Sequence, residues 1–172
     1  VDGSRRATGG PTAQVAIAST TSFDPEPDGD GEEREDLAAN AIDGDVETAW
    51  QTEGYDTRTF NDRKAGVGLV LDLGEERRVS DLAIVTDLPG WIAEVYTADV
   101  PATTLAGWTR SSSRTPVESG ARIPVDLDGA STRYLLLWVA RLSIDTNDTN
   151  RARARIAEVR AFAVGGAADA SG

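Results

Sequence analysis

Cysteine and histidine are both missing from the sequence, and lysine occurs once, at Lys64. Without cysteine there is no disulfide and no thiolate chemistry. Without histidine as well, zinc or haem cannot be held by the usual side chains, and no Ser–His or Cys–His nucleophile can form. An acid–base enzyme would have to run on carboxylates, Tyr or the single Lys, with nothing that titrates near neutrality. The chain is therefore expected not to be an enzyme. Apolar runs are short as well: the longest, Tyr134 to Ala140, is the length of a strand, whereas a membrane helix needs roughly 20 residues. Acidic residues outnumber basic ones 29 to 17, and the net charge is −12. That excludes the basic footprint required by nucleic acid or an anionic membrane surface. No signal-peptide pattern opens the chain, and a first residue of Val1 rather than Met reads as an excerpt of something longer.

What is present is the composition of a folded domain, 40% apolar and 27% charged, with Trp50, Trp91, Trp108 and Trp138 spread along it. Its 172 residues suffice for one core and are short for two. Residues 1–12 read as a linker and 165–172 as a flexible tail, leaving 13–164 as one domain. Inside it, short alternating runs recur. Val15 and Ile17 share a face, as do Val67, Leu69, Leu71 and Leu73. Val79 to Thr86 and Ile92 to Tyr96 follow, parted by Pro89-Gly90. Arg122 to Leu127 and Arg133 to Ala140 flank Asp128-Gly129, a hairpin-type turn signal. Arg155 to Val164 closes the series. Only Glu33 to Ala41 reads as helical. About seven short strands divided by Gly, Pro and Asp turns predict an all-β sandwich or barrel.

Between Asp24 and Asp36 lies an acidic stretch opposed only by Arg34. It can be laid onto an EF-hand-like calcium loop, but Pro25 and Pro27 interrupt it and no helix precedes it. A solvated acidic loop is the expectation. A sharper pattern runs from Ala41 to Trp50. Gly44 lets Asp43-Gly44-Asp45 turn tightly, and Asp43, Asp45 and Thr48 then offer oxygen atoms on one side. Oxygen-only ligation suits a hard cation, calcium before magnesium. The same stretch also fits an Asx-type turn with no metal, followed by a core Trp.

Ala41 through Trp50 matches A-x-D-G-x-x-x-T-x-W. Asp72-Leu73-Gly74 ends a strand in D-L-G, and Ala157 to Phe162 matches A-E-(I/V)-x-(V/A)-(F/Y). With these three motifs in order, the sequence resembles the discoidin or coagulation-factor type C domains of the galactose-binding-like class. The resemblance implies a jelly-roll sandwich of about eight strands with one short helix, and a structural calcium joining the first loop to the last strand. Its implied ligands are the carbonyls of Asn40, Asp45 and Ala157, the carboxylates of Asp43 and Glu158, and Thr48. A narrower likeness rests on Ser22 to Pro25, on Asp43 to Trp50, on Tyr55 and Phe60, and on Lys64 to Leu69. These resemble the outer domain of actinobacterial MviN/MurJ-type proteins, which join a lipid II flippase to a pseudokinase segment. That likeness implies a place on the extracellular face of a bacterial membrane. The arginine-for-lysine bias and many alanines hint at a GC-rich genome of the same kind.

Relatives of this fold bind sugars, lipid headgroups or proteins through loops at one end. Sugars need aromatic faces together with hydrogen-bonding side chains. The segment carrying Tyr55, Arg58, Phe60, Asn61 and Arg63 offers both, so a cell-wall glycan or peptidoglycan-related ligand is expected there. The alternatives are a contact with another cell-envelope protein, or a spacer without a small ligand. A carboxylate-based glycosidase using Asp24 with Glu32, or Asp62 with Asp145, is the third. Arg151, Arg153 and Arg155 alternate at strand spacing and read as a solvated face.

Overall fold

The computed structural model of the protein describes residues 12–148 and 150–164. The expected linker and tail fall outside these residues, except that Thr12 already belongs to the first strand. A four-stranded antiparallel sheet is built from β1 (Thr12–Val15), β14 (Glu158–Val164), β5 (Val79–Val85) and β9 (Ala121–Pro124), in that order. The facing sheet runs β2 (Ser19–Phe23), β4 (Val67–Arg77), β10 (Thr132–Arg141), β6 (Ile92–Ala98) and β7 (Thr109–Arg110), with β8 (Thr115–Pro116) also on β6. Two small ribbons complete the fold. One pairs β11 (Ser143–Asp145) with β12 (Arg151–Arg153); the other pairs β3 (Trp50–Gln51) with β13 (Arg155–Ile156). The architecture is an all-β sandwich, as the alternation predicts. No helix among the described residues is long and apolar enough to cross a membrane.

Period-two burial explains the pairing. Val67, Leu69, Leu71 and Leu73 of β4, with Leu135, Leu137 and Val139 of β10, point into one core against Leu82, Ile84, Val159 and Ala161 of the other sheet. The central strand β10 is apolar almost throughout because its other face is buried too. Leu136 and Trp138 join Phe23, Val70 and Trp108 in a second cluster on the outside of the larger sheet. A loop after β6, with its 3-10 turn Leu105–Gly107, carries Trp108 over that face.

Two expected local features differ. Asp128-Gly129 is a turn, with both residues at positive φ (51° and 77°), but it carries the chain from β9 in one sheet to β10 in the other and forms no hairpin. Likewise the expected helix over Glu33 to Ala41 is a 3-10 segment, Glu35–Ile42, which starts late because Arg34 is left-handed at φ 51°.

Trp138 packs closely on the backbone at Gly66, just before β4, because the chain there has no side chain. A Cβ on Gly66 would meet the Trp138 ring at 2.6 Å and the Val139 carbonyl at 2.4 Å. Gly66→Val is therefore expected to cost about 3 kcal/mol, read as a lower midpoint in urea. Ala65→Val next to it, on an exposed residue, should stay within about 0.5 kcal/mol. Equal midpoints for the two variants would contradict this packing.

Candidate functional site

Strand register gathers the informative residues at one end of the sandwich. β2 ends there at Phe23, β4 starts at Val67, β6 starts at Ile92 and β10 finishes at Arg141. Glu158 of β14 pairs with Val85 at the same end. The connecting segments 24–34, 52–66, 86–91 and 142–157 therefore converge.

The Asp43 turn takes the shape the sequence suggests. Gly44 sits at φ 80°, Asp43 accepts the Asp45 amide at 2.8 Å and the Thr48 hydroxyl at 2.5 Å, and Thr48 also donates to the Asp45 carbonyl at 3.0 Å. These bonds hold the Asp43 carboxyl below its ordinary range, the Thr48 hydroxyl most of all. Glu158, buried at 6% exposure, reaches back across 114 residues to accept the Gly44 amide at 3.1 Å. Burial pushes its carboxyl up; the Gly44 amide and Arg160 oppose this, and Asp43 adds to the rise. Two carboxylates thus share one small region with a hydroxyl and a carbonyl, a donor set made only of oxygen. Asn40 braces the turn by donating from its side chain to the Ala49 carbonyl at 3.2 Å, and the Ala157 amide donates to Val85 at 2.8 Å. Among the described residues, no three carboxylates gather as a metal cluster. A cation here would lean on carbonyl oxygens, and the donors present fit a hard ion.

The expected aromatic face is absent. Tyr55 and Phe60 are buried, at 7% and 1% exposure, edge to face with ring centroids 5.0 Å apart. A β-bridge to Ala152 holds Tyr55 in place, and Phe60 opens a run of three left-handed residues with Asn61 and Asp62. Asn61 is spent on the loop itself, its side-chain oxygen accepting the amides of Asp56 at 2.9 Å and Thr57 at 3.1 Å. Of the five expected ligand residues, Arg58 and Arg63 alone are exposed.

Nor is the acidic stretch simply solvated. Two of its carboxylates are buried, Asp24 at 2% and Glu33 at 0% exposure, while Glu26, Asp28, Asp30, Glu32, Glu35 and Asp36 are exposed as expected. Lys64 joins the buried two, with Nζ 2.9 Å from Asp24 and 3.6 Å from Glu33. Glu33 also accepts the Glu53 amide at 2.7 Å and the Tyr55 hydroxyl at 3.0 Å, while its own carbonyl accepts the Trp50 indole N–H at 2.9 Å. Burial and the facing Glu33 carboxylate push the Tyr55 hydroxyl well above its ordinary range. In place of an EF-hand, Asp24 closes its own loop, taking the Gly31 amide on its carbonyl and the Asp30 amide on its carboxylate.

The arginine alternation has the clearest consequence. Arg151, Arg153 and Arg155 lie along β12 and β13, and each meets a carboxylate outside its own strand. Arg151 pairs with Asp56 at 2.8 Å, Arg153 with Asp148 at 2.7 Å and Arg155 with Asp87 at 3.2 Å. A Cβ on Gly54 would lie 2.8 Å from the Arg153 guanidinium and 3.1 Å from that of Arg151, so both converge over bare backbone. Gln51 stands 3.5 Å from Arg153. The result is a stripe of alternating donors and acceptors, and the expected solvated face holds only at its ends: the Arg151 and Arg155 side chains are 43% and 32% exposed, that of Arg153 11%. The arginine spacing was visible in the sequence; Gln51, Gly54, Asp56 and Asp87 carried no signal, since they arrive on two other segments, 51–56 and 86–91, remote in the chain.

The expected carboxylate pairs find no support: Asp24 is taken by Lys64, and Asp145 is buried, accepting the Asn147 amide at 3.0 Å with Arg153 3.9 Å away.

No family model matches the sequence. Solved structures do share the fold. A family 32 carbohydrate-binding module of NanJ from Clostridium perfringens, in complex with galactose, is 18% identical with a TM-score of 0.56, over 88% of this chain and 99% of that one. The family 32 module of AlyQ, in complex with 4,5-unsaturated mannuronic acid, is 19% identical with a TM-score of 0.54, over 87% of this chain and 98% of that one. A glycoside hydrolase from Clostridium perfringens, bound to GlcNAc-alpha-1,4-galactose, is 18% identical with a TM-score of 0.56, over 88% of this chain but 15% of the enzyme. The chain thus has the galactose-binding-like sandwich fold of these modules, at the size of a whole module.

Proposed function

We propose that this domain is a non-catalytic glycan-binding module whose ligand rests on the stripe of Arg151, Arg153 and Arg155, with the exposed Arg58 and Arg63 available on the same connecting segment as Gly54 and Asp56. The observation that carries the reading is the stripe itself. Planar guanidinium, amide and carboxylate groups alternate on it, and such groups pair with vicinal hydroxyls through two hydrogen bonds at a time. The neighbouring folds that hold galactose or a uronate sugar support the same class of ligand.

The resemblance to MviN/MurJ-type outer domains extends the reading to a bacterial membrane protein. The sandwich would face the cell wall on the extracellular side, with peptidoglycan fragments as the first candidate ligand. A calcium ion at Asp43, Asp45, Thr48 and Glu158, with the carbonyls of Asn40 and Ala157, would pin the turn to the last strand without entering any chemistry. A second reading, a contact with another envelope protein, is favoured by one observation: Tyr55 and Phe60 are buried, so the loop end lacks their stacking face.

The test is calorimetric titration with muropeptides, galactose and uronate oligomers, repeated on Arg151→Ala and Arg155→Ala. Each variant should weaken the best ligand by roughly tenfold, the equivalent of about 1.4 kcal/mol, with little change in melting temperature. Unchanged affinity in both variants would remove the ligand from the stripe, and hydrolysis of any of these glycans would refute a non-catalytic role.

A further inference from the structure

Lys64 is the one lysine of the chain, and it lies inside the fold. Its Nζ is 2.9 Å from Asp24 and 3.6 Å from Glu33, both buried carboxylates. Every other basic residue is arginine. A guanidinium would suit two buried carboxylates better as a plain ion pair, since it is planar, always charged and grips both oxygens of a partner. What lysine offers instead is a nitrogen that can lose its proton and act as a nucleophile.

The two carboxylates are held differently. Glu33 is fixed from two sides: its Oε1 accepts the Glu53 amide at 2.7 Å, and the Tyr55 hydroxyl spans its two oxygens at 3.0 and 3.1 Å. Burial raises its carboxyl, which brings it closer to the range where a group can both take and release a proton. Asp24 is less well served. Its Oδ2 meets Lys64 and, at 3.3 Å, the Asp30 amide, while Oδ1 is buried with no hydrogen-bond partner among the described residues. Gly29, where a Cβ would lie 2.4 Å from the Asp24 carboxyl carbon, closes over the far side with bare backbone. The surroundings are aromatic: Trp50 donates to the Glu33 carbonyl, and Lys64 lies 5.3 Å from the centre of the buried Tyr55 ring.

We propose that Lys64 and Asp24 join in an amide cross-link formed by the folded chain itself, with Glu33 as the proton carrier. The ion pair is the reactant state. Within it the Lys64 ammonium passes one proton to Asp24, leaving an amine beside a carboxylic acid. Nζ attacks the Asp24 carboxyl carbon and the N–C bond forms. The Glu33 carboxylate takes a second proton from the nitrogen and gives it to the departing hydroxyl. The C–O bond breaks, one water leaves, and Glu33 ends as it began, so no oxidant or co-reactant is consumed. Two effects drive the step. Groups fixed in contact react as though at an effective concentration of roughly 10⁵–10⁸ M. A neutral buried amide also replaces two buried charges, one of which carries an unpaired oxygen. The link ties together positions 40 residues apart. It is a single self-modification, independent of the glycan reading.

Intact mass spectrometry of the domain, after days at neutral pH, reads the reaction directly. The parent is expected to be lighter than its sequence by one water. Because Lys64 is the sole lysine, reductive methylation of the unfolded protein should then modify the N-terminal amine alone. Proteolysis should yield one branched peptide joining the Asp24 and Lys64 segments. Lys64→Arg should keep its full mass, and Asp24→Asn should reach the parent's product by losing ammonia instead of water. Glu33→Gln should slow conversion by roughly a hundredfold or more while keeping the circular dichroism of the folded domain, which separates a missing proton carrier from a missing fold. A parent at full mass whose Lys64 is methylated after unfolding overturns the proposal. So does a water loss that persists in Lys64→Arg, which would trace it to the Asp-Gly turns. Conversion at the parental rate in Glu33→Gln overturns the part assigned to Glu33.

Discussion

Lys64→Met is expected to destabilise the domain by about 3–5 kcal/mol, the usual cost of stranding one partner of a buried ion pair. For a chain of this size that lowers the melting temperature by roughly 10 °C or more. Among the described residues, Lys64 is the cation that pairs with both Asp24 and Glu33, whose side chains are 2% and 0% exposed, while its own side chain is 14% exposed. Burial alone would depress its ammonium, but the Asp24 hydrogen bond and the charge of Glu33 outweigh burial and hold it above its ordinary range. Glu33 gives the loss a pH signature. Burial raises its carboxyl above the usual 4.5, against the opposing pull of the Glu53 amide, Lys64 and Tyr55. A carboxyl raised on folding contributes stability that is complete below its unfolded pKa and lost as pH rises through the folded value. Removing Lys64 raises the folded value further. The variant should therefore regain more stability than the parent between pH 7 and roughly pH 5. Adding Glu33→Gln should restore part of the loss at pH 7. Thermal melts at both pH values decide it; a variant melting within about 2 °C of the parent at pH 7 would show that Lys64 is dispensable.

Calcium is expected to raise the melting temperature through the Asp43 turn. An ion that binds the native state and hardly the unfolded chain contributes about 2.7 kcal/mol at a hundredfold excess over its dissociation constant, or roughly 5–10 °C here. Part of that gain comes from Glu158. Burial and Asp43 hold its carboxyl above the ordinary value, so its ionised form opposes folding at neutral pH until a cation compensates it. Asp43→Ala and Glu158→Gln should each abolish the calcium increment. Glu158→Gln should also cost less than Asp43→Ala in chelator, because its amide oxygen can still accept the Gly44 amide while the buried charge is gone. A melt that responds to neither calcium nor chelator would leave the turn as a hydrogen-bonded brace only.

How much of this was legible in the residues depends on the distance over which each feature is determined. The alternation from Val67 to Leu73 is a local pattern, and burying one face of a strand reproduces it directly. The Asp43 turn was legible for the same reason: Gly44 supplies the positive φ, and Asp43, Asp45 and Thr48 bond within five residues. Glu158, which the resemblance ties to that turn, accepts its Gly44 amide directly. The acidic loop misled because the cation that buries Asp24 lies 40 residues away. Phe60 misled because its left-handed run contains no glycine to announce it, and Tyr55 because its bridge partner Ala152 is remote in the chain. The arginines of β12 and β13 were visible as a period of two, but which loops would supply their carboxylates is a property of the sandwich ends.

The most direct measurement of the central claim is a map of backbone amide shifts as a soluble muropeptide or galactose-containing oligosaccharide is added to the domain. The account predicts shifts that cluster at Gln51, Gly54, Asp56, Asp87 and the segment from Arg151 to Arg155. Shifts confined to the opposite end, around Arg78 and the turn at Asp128-Gly129, would contradict it.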